Sequence, residues 1–240
     1  MLNIFVTGSD INVGKNFITA GLAATMQSLG YQTCVYKPVE TGAAEKNGFS
    51  QSPDLVFVKS IDPYIKVASS YLLKSSSEPC IAAEEENIKI DKSVIKKDYE
   101  QISKEVDCLI TEGIGGVMTP VGINFYVSDI IKELNLPVVV VVKPSLNVIN
   151  QTLLTINHAK EKGLNVRGVI INNFYSSQEQ ADIKHIPRLI EEYSGAKIVG
   201  VLQSLEQSPK IDPNSLITNI LNGIDIESVF DVKISKLEVE

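Results

Sequence analysis

The chain has 240 residues, 44% hydrophobic and 21% charged, with 22 Lys and Arg against 29 Asp and Glu for a formal net charge of −7. Such a sequence can bury a sizeable core, is too apolar for a disordered chain, and supplies no general basic face for nucleic-acid phosphates. Cys34, Cys80 and Cys108 are odd in number and widely spaced, which excludes a disulfide framework and a Cys-x-x-Cys metal site, and a reducing cytoplasm is the expected compartment.

In chain order, MLNIFVTGSD reads as a first strand at Asn3–Val6 running into a turn, since it lacks the charged start and long apolar core of a signal peptide. A helix is predicted over Lys15–Leu29, ending before Gly30, and a strand over Thr33–Tyr36. Residues 40–53 and 74–91, rich in Ser, Gly, Pro and charge, read as loops within the domain. A helix over Lys92–Val106 leads to a strand at Cys108–Thr111, and a helix over Val127–Asn135 is stopped by Pro137. The valine run Val138–Val142 is the expectation for a parallel strand covered on both faces; the apolar stretch around it is far short of the roughly 20 residues a membrane span needs. Helices over Val148–Lys162 and Gln178–Tyr193 end at Gly163 and Gly195, with strands at Val169–Ile171 and Ile198–Val201. The tail after Asp225, with alternating charges, reads as an edge strand or a loosely held segment. This βαβ rhythm predicts an α/β fold in a single domain over residues 1–240: a mostly parallel sheet of about seven strands covered by helices on both faces.

The segment Gly8-Ser9-Asp10-Ile11-Asn12-Val13-Gly14-Lys15-Asn16 joins a strand to a helix. Phosphates call for such a junction, because glycines admit close backbone N–H groups and the helix N-terminus offers unpaired donors. Lys15 would add a mobile ammonium. The loop departs from the general phosphate-loop pattern by one extra residue between the glycines and by Asn16 in place of the usual Ser or Thr. A strand-to-helix turn that binds nothing is the bland alternative. Asp54 and Glu112 are hard oxygen donors suited to magnesium. For Asp54 the alternative is a helix N-cap after Ser52-Pro53, and for Glu112 a strand-end carboxylate capping a turn. Lys37 would face the same rim as Lys15, or merely snorkel at its strand end.

Together with the extended loop, Tyr36-Lys37-Pro38-Val39-Glu40-Thr41-Gly42, Thr111-Glu112-Gly113-Ile114-Gly115-Gly116, Thr119-Pro120 and Ile149-Asn150-Gln151-Thr152-Leu153-Leu154 make residues 1 to about 205 resemble the dethiobiotin synthetase family of P-loop enzymes. The resemblance implies an ATP- and magnesium-dependent ligase that closes a ring on 7,8-diaminopelargonate with CO2, working as a homodimer; the acidic charge balance and the short apolar runs lead to the expectation of no nucleic-acid or membrane partner. It implies that Ser9, Asp10, Asn12, Val13, Gly14, Lys15, Asn16, Glu112, Gly115 and Asn172 hold the nucleotide, Asn172 at the purine edge. Asn16, Asp54 and Glu112 are then the metal residues, and Lys15 and Lys37 the catalytic cations. Ile11, Lys37, Thr41, Leu146, Asn147 and Asn150 line the substrate, the last three from the partner subunit. Five positions depart from the family's usual residues: Ile11 and Asn16 where it has Thr, Cys80 where a His often stands, Asn147 for Gly, and Gln203 for Pro. A related amidoligase, a P-loop ATPase switch and a non-catalytic homologue are the competing readings; an early loop lysine typical of the switches is absent from Ser9–Val13. His158, His185, Glu84, Glu85 and Glu86 read as surface residues.

Overall fold

In the computed structural model, residues 1–46, 48–174, 183–203 and 211–234 are described. The elements run β1 (Leu2–Gly8), α1 (Lys15–Ser28), β2 (Thr33–Glu40), β3 (Ala44–Lys46), β4 (Phe49–Gln51), α2 (Pro53–Ile61), β5 (Lys66–Leu72), α3 (Pro79–Glu85) and α4 (Lys92–Ile102). They continue with β6 (Cys108–Gly116), β7 (Pro120–Gly122), β8 (Phe125–Tyr126), α5 (Val127–Leu134), β9 (Val138–Val142) and α6 (Val148–Glu161). The last are β10 (Val166–Phe174), a 3-10 turn at Ile183–His185, α7 (Ile186–Ser194), β11 (Ile198–Gln203), α8 (Pro213–Gly223) and α9 (Ile226–Phe230).

Seven strands form one sheet in the order β11-β10-β9-β1-β6-β2-β5, and every pairing in it is parallel. All five valines of β9 are fully buried, and the strand's two-residue period sends them both ways. Val138, Val140 and Val142 join the core under α4, α5, α6 and α7, while Val139 and Val141 join the core under α1, α2, α8 and α9. Burial on both faces is why this strand tolerates no polar residue.

The expected α/β class and the seven-strand count hold, with several local corrections. β5 is an edge strand that the strand assignments omitted; its sequence KVASSYL is half-buried and carries no continuous apolar run. The region 40–53 is not wholly loop, since β2 extends to Glu40 and β3 pairs with β4 as a short antiparallel hairpin. Residues 74–91 contain α3, started by Pro79 at its first turn. The first residues of the predicted Gln178–Tyr193 helix, up to 182, lie outside the described residues. The stretch after Asp225 forms α9 rather than an edge strand, because Ile226, Val229 and Phe230 bury one face and Asp225 caps it; residues 235–240 lie outside the described residues. Cys34 and Cys108 are buried in strands, as expected.

Candidate nucleotide and metal site

The carboxyl ends of β1, β6 and β2, adjacent in the sheet, carry the loop, Glu112 and Lys37 to one rim, which is where parallel α/β sheets place ligands. The loop starts at Gly8, where a Cβ would come within 2.7 Å of the Asp10 carbonyl oxygen and 2.8 Å of Val13. Ser9 N–H donates to the Val141 carbonyl at 3.0 Å, tying the loop to β9. Asn12 and Gly14 take positive φ, 55° and 90°, which turns the chain into α1. Asp10 braces the loop: one carboxylate oxygen accepts the Ile11 N–H and the other accepts Gln151 Nε2 of α6, both at 2.7 Å. Its carbonyl receives Lys15 Nζ at 3.1 Å. Burial lowers the Lys15 ammonium from 10.5 to about 8 against the raising influence of Glu112, with Lys37 lowering it further and Asp10 raising it. Ile11 is exposed.

Asn172, at 2% exposure near the end of β10, donates its amide nitrogen to the Val13 carbonyl at 2.9 Å. Its oxygen is buried without a partner among the described residues, an acceptor left for a ligand's donor.

Lys37 is the centre of the rim. Its side chain is 4% exposed, and Nζ contacts Glu112 at 2.9 Å, Glu40 at 3.4 Å and Asp54. Register explains the Glu112 contact, because Tyr36 pairs with Thr111 across β2 and β6 and the next residues of both strands meet. Asp54 is not the cap of α2. Ser52 is, accepting the Leu55 N–H at 3.1 Å, while Pro53 opens the first turn and Asp54 faces Lys37. The Asn16 amide nitrogen donates to Asp54 at 3.3 Å, and its oxygen accepts the Phe17 N–H at 2.8 Å.

These donors suit a hard divalent cation. Three carboxylates share one lysine, and Glu112 Oε2 is buried with no hydrogen-bond partner among the described residues. Among the described residues no three His, Cys, Asp or Glu side chains could enclose an ion unaided; magnesium ordinarily takes one or two carboxylates and completes its shell with phosphate and water.

Gly115 has φ 61°, and Thr119 Oγ1 accepts the Gly116 N–H at 2.9 Å, which accounts for the Thr119-Pro120 spacing. Thr41 is half-buried just beyond β2, and Gly42 N–H donates to Ser75 at 2.8 Å. Leu146, Asn147 and Asn150 lie at the start of α6, all exposed, with Asn147 as an N-cap whose side chain makes no capping bond. Sequence reasoning passed over Glu40 and Ser52, whose contact joins residues 12 positions apart, and gave Gln151 no role. The signal for Ser52 was the Ser-Pro start of an amphipathic run. A cleft of about 1230 Å³ between α3, the start of α4, the β7–β8 hairpin and α5 contains Cys80 but none of the predicted site residues.

A protein-family model described as an AAA domain matches residues 2–211. A protein named ATP-dependent dethiobiotin synthetase from Methanocaldococcus jannaschii is 38% identical over 212 residues, covering 85% of this chain and 94% of its own length. One of the same name from Bacillus licheniformis is 32% identical over 231 residues, covering 96% and 97%. Among solved structures, a ParA family ATPase from Chlorobium tepidum shares the fold with a TM-score of 0.57 at 14% identity, covering 98% of this chain and 94% of that one. The extended loop, the paired lysines and the strand-end carboxylates thus sit in a chain that belongs to the ATP-dependent dethiobiotin synthetase family.

Proposed function

We propose that the chain is an ATP-dependent ligase that makes dethiobiotin from 7,8-diaminopelargonate and CO2, releasing ADP and phosphate, in biotin biosynthesis. The observation that carries the reading is the pairing of Lys15 and Lys37 at one strand-end rim with Glu112 and Asp54 beside them. One substrate amine takes up CO2 as a carbamate, whose oxygen attacks the γ-phosphorus and expels ADP. The second amine then attacks the carbonyl carbon of the carbamic–phosphoric anhydride, closing the ring and releasing phosphate. No protein nucleophile is required, so the chain's work is positioning and charge stabilisation.

Lys15 meets the β- and γ-phosphate oxygens and the carbamate, and Lys37 the carbamate and γ-phosphate. The backbone from Ser9 to Gly14 cradles the phosphates, with Gly115 on the same rim. The unpartnered oxygen of Asn172 accepts from the adenine amine. Asn16, Asp54 and Glu112 would hold magnesium, which neutralises phosphate charge. Thr41 and Ile11 border the diamine, and its carboxylate tail reaches Leu146–Asn150 of a second subunit, where free N–H groups at the start of α6 favour an anion. A cytoplasmic homodimer follows from this reading. Among the described residues no helix is long and apolar enough to cross a membrane.

The test is phosphate release by the purified protein with ATP, magnesium, bicarbonate and the diamine, each omitted in turn, with the product identified by mass spectrometry. Diamine-dependent release with dethiobiotin formed is the expected result; diamine-independent hydrolysis would overturn the reading.

A further inference from the structure

Glu40 has no part in the roles described so far, yet it is buried to 6% exposure in the middle of the charged rim. One of its oxygens, Oε2, lies 3.4 Å from Lys37 Nζ and accepts the Ser52 hydroxyl at 2.6 Å. That hydroxyl has a single proton, and by giving it to Glu40 it leaves its lone pairs for the Leu55 N–H at 3.1 Å. The cap of α2 is therefore oriented by a carboxylate on β2, and α2 carries Asp54 in its first turn. A buried carboxylate already beside a lysine bears a desolvation cost that only several simultaneous partners offset. Ser52, itself 3% exposed, is the second of those partners.

We infer that Glu40 is a positioning residue: through Ser52 it locks the first turn of α2 to β2 and so fixes Asp54 relative to Lys37 and to the cation that Asp54 would hold. The pair transmits nothing to the phosphate directly. It sets the separation of two groups that do, one on a strand and one on a helix with no covalent reason to stay in register. Outer partners of metal-holding carboxylates typically change metal affinity or activity by about 10- to 100-fold when removed. The inference rests on the reading of Asp54 as a magnesium residue, and the unaltered protein tests that reading separately.

The experiment measures ADP binding calorimetrically with and without magnesium for the unaltered protein, Glu40→Ala, Glu40→Gln, Ser52→Ala and Ser52→Thr, together with hydrogen exchange at the Leu55 amide in the nucleotide-free proteins. If magnesium fails to tighten ADP binding to the unaltered protein, the metal reading falls before Glu40 is judged. If it does tighten, Glu40→Ala and Ser52→Ala are expected to lose about tenfold or more of the magnesium-dependent gain while metal-free ADP binding stays within about twofold. Ser52→Thr, which keeps the hydroxyl, restores the gain. Glu40→Ala also speeds exchange at Leu55, although the Leu55 amide bonds to Ser52 and not to Glu40, whereas Glu40→Gln keeps an acceptor for Ser52 and leaves that amide protected. An unchanged magnesium gain in folded Glu40→Ala, or equal losses with and without metal, would overturn the inference. Should Glu40→Ala not fold, the Ser52→Ala and Ser52→Thr pair decides it in the same way: a loss in the first that the second does not share supports the role of Glu40, and no loss in either overturns it.

Discussion

Two parts of the rim differ sharply. Around Lys37 most of the charged groups are buried and paired through its ammonium: the side chains of Lys37, Glu40 and Glu112 are 4%, 7% and 1% exposed, and β2, β6, α2 and α1 each contribute a partner. At the start of α6, Leu146 is fully exposed, and the side chains of Asn147 and Asn150 make no hydrogen bond among the described residues. One region is complete within a single chain. The other presents the first turn of a helix and an apolar side chain outward. Gln151, one turn into α6, is the tie between them, through its bond to Asp10 of the loop. The lesson is that charges meant for phosphate chemistry are fixed in place by burial and pairing within the fold, whereas the start of α6 is left as open surface.

The comparison can be broken most directly at Lys37. Lys37→Met leaves Glu40, Asp54 and Glu112 crowded without their ammonium, and a stability loss of about 3 to 5 kcal/mol is expected, since removing one partner strands buried charge. Dethiobiotin formation should drop by about a thousandfold, as for other lost transition-state stabilisers. A normal melting temperature with a normal rate would show that the buried cluster is not what the rim depends on.

Next in size is Gly14→Ala. At φ 90° an added Cβ is strained, and it would collide with the Asn172 amide nitrogen, so the bond from Asn172 to Val13 cannot persist unchanged. A loss of roughly 1 to 3 kcal/mol in denaturant unfolding is expected, with weaker ADP binding in a calorimetric titration. ADP affinity equal to that of the unaltered protein would place the loop outside the nucleotide site.

The open part of the rim predicts the opposite pattern. Leu146→Asp should change stability by no more than about 0.5 kcal/mol and leave ADP binding as it is. It should raise the KM for the diamine and shift sedimentation from dimer towards monomer. Unchanged diamine kinetics and sedimentation would remove Leu146–Asn150 from the substrate site.

The smallest effect is a labelling contrast. Burial pushes the Cys34 thiol from 9.0 up to about 12 and raises that of Cys108 as well, whereas Cys80 is partly exposed. Ellman's reagent at pH 8 should modify Cys80 alone in the native protein and all three cysteines after denaturation. Because the native state holds these thiol protons more tightly than the unfolded chain, their contribution to stability is full below about pH 9 and is lost as pH rises towards 12. Rapid native labelling of more than one thiol would mean the strands open more readily than their burial implies.

Much of the fold is legible in the residue order alone. The strand–loop–helix start and the valine run of β9 are readable because their signals are local: glycine spacing, a helix's apolar rhythm and an apolar run that only two covered faces can accept. The edge strand β5 is not, since a half-buried strand carries the mixed polarity of a loop. Asp54 stays poised between cap and ligand until Ser52 takes the cap and Pro53 opens the helix, leaving Asp54 turned to Lys37.

The sequence by itself determined the fold class, the phosphate loop and the family, because each is written in residue types at short, regular spacings. Only the tertiary structure decided which carboxylates surround Lys37. Those contacts join residues 17 and 75 positions apart, and they exist because strand order sets β6 beside β2 in a register that carries Glu112 to Lys37, while α2 folds back over the same edge. Chain distance carries no information about such neighbours; the sheet's hydrogen-bond register does.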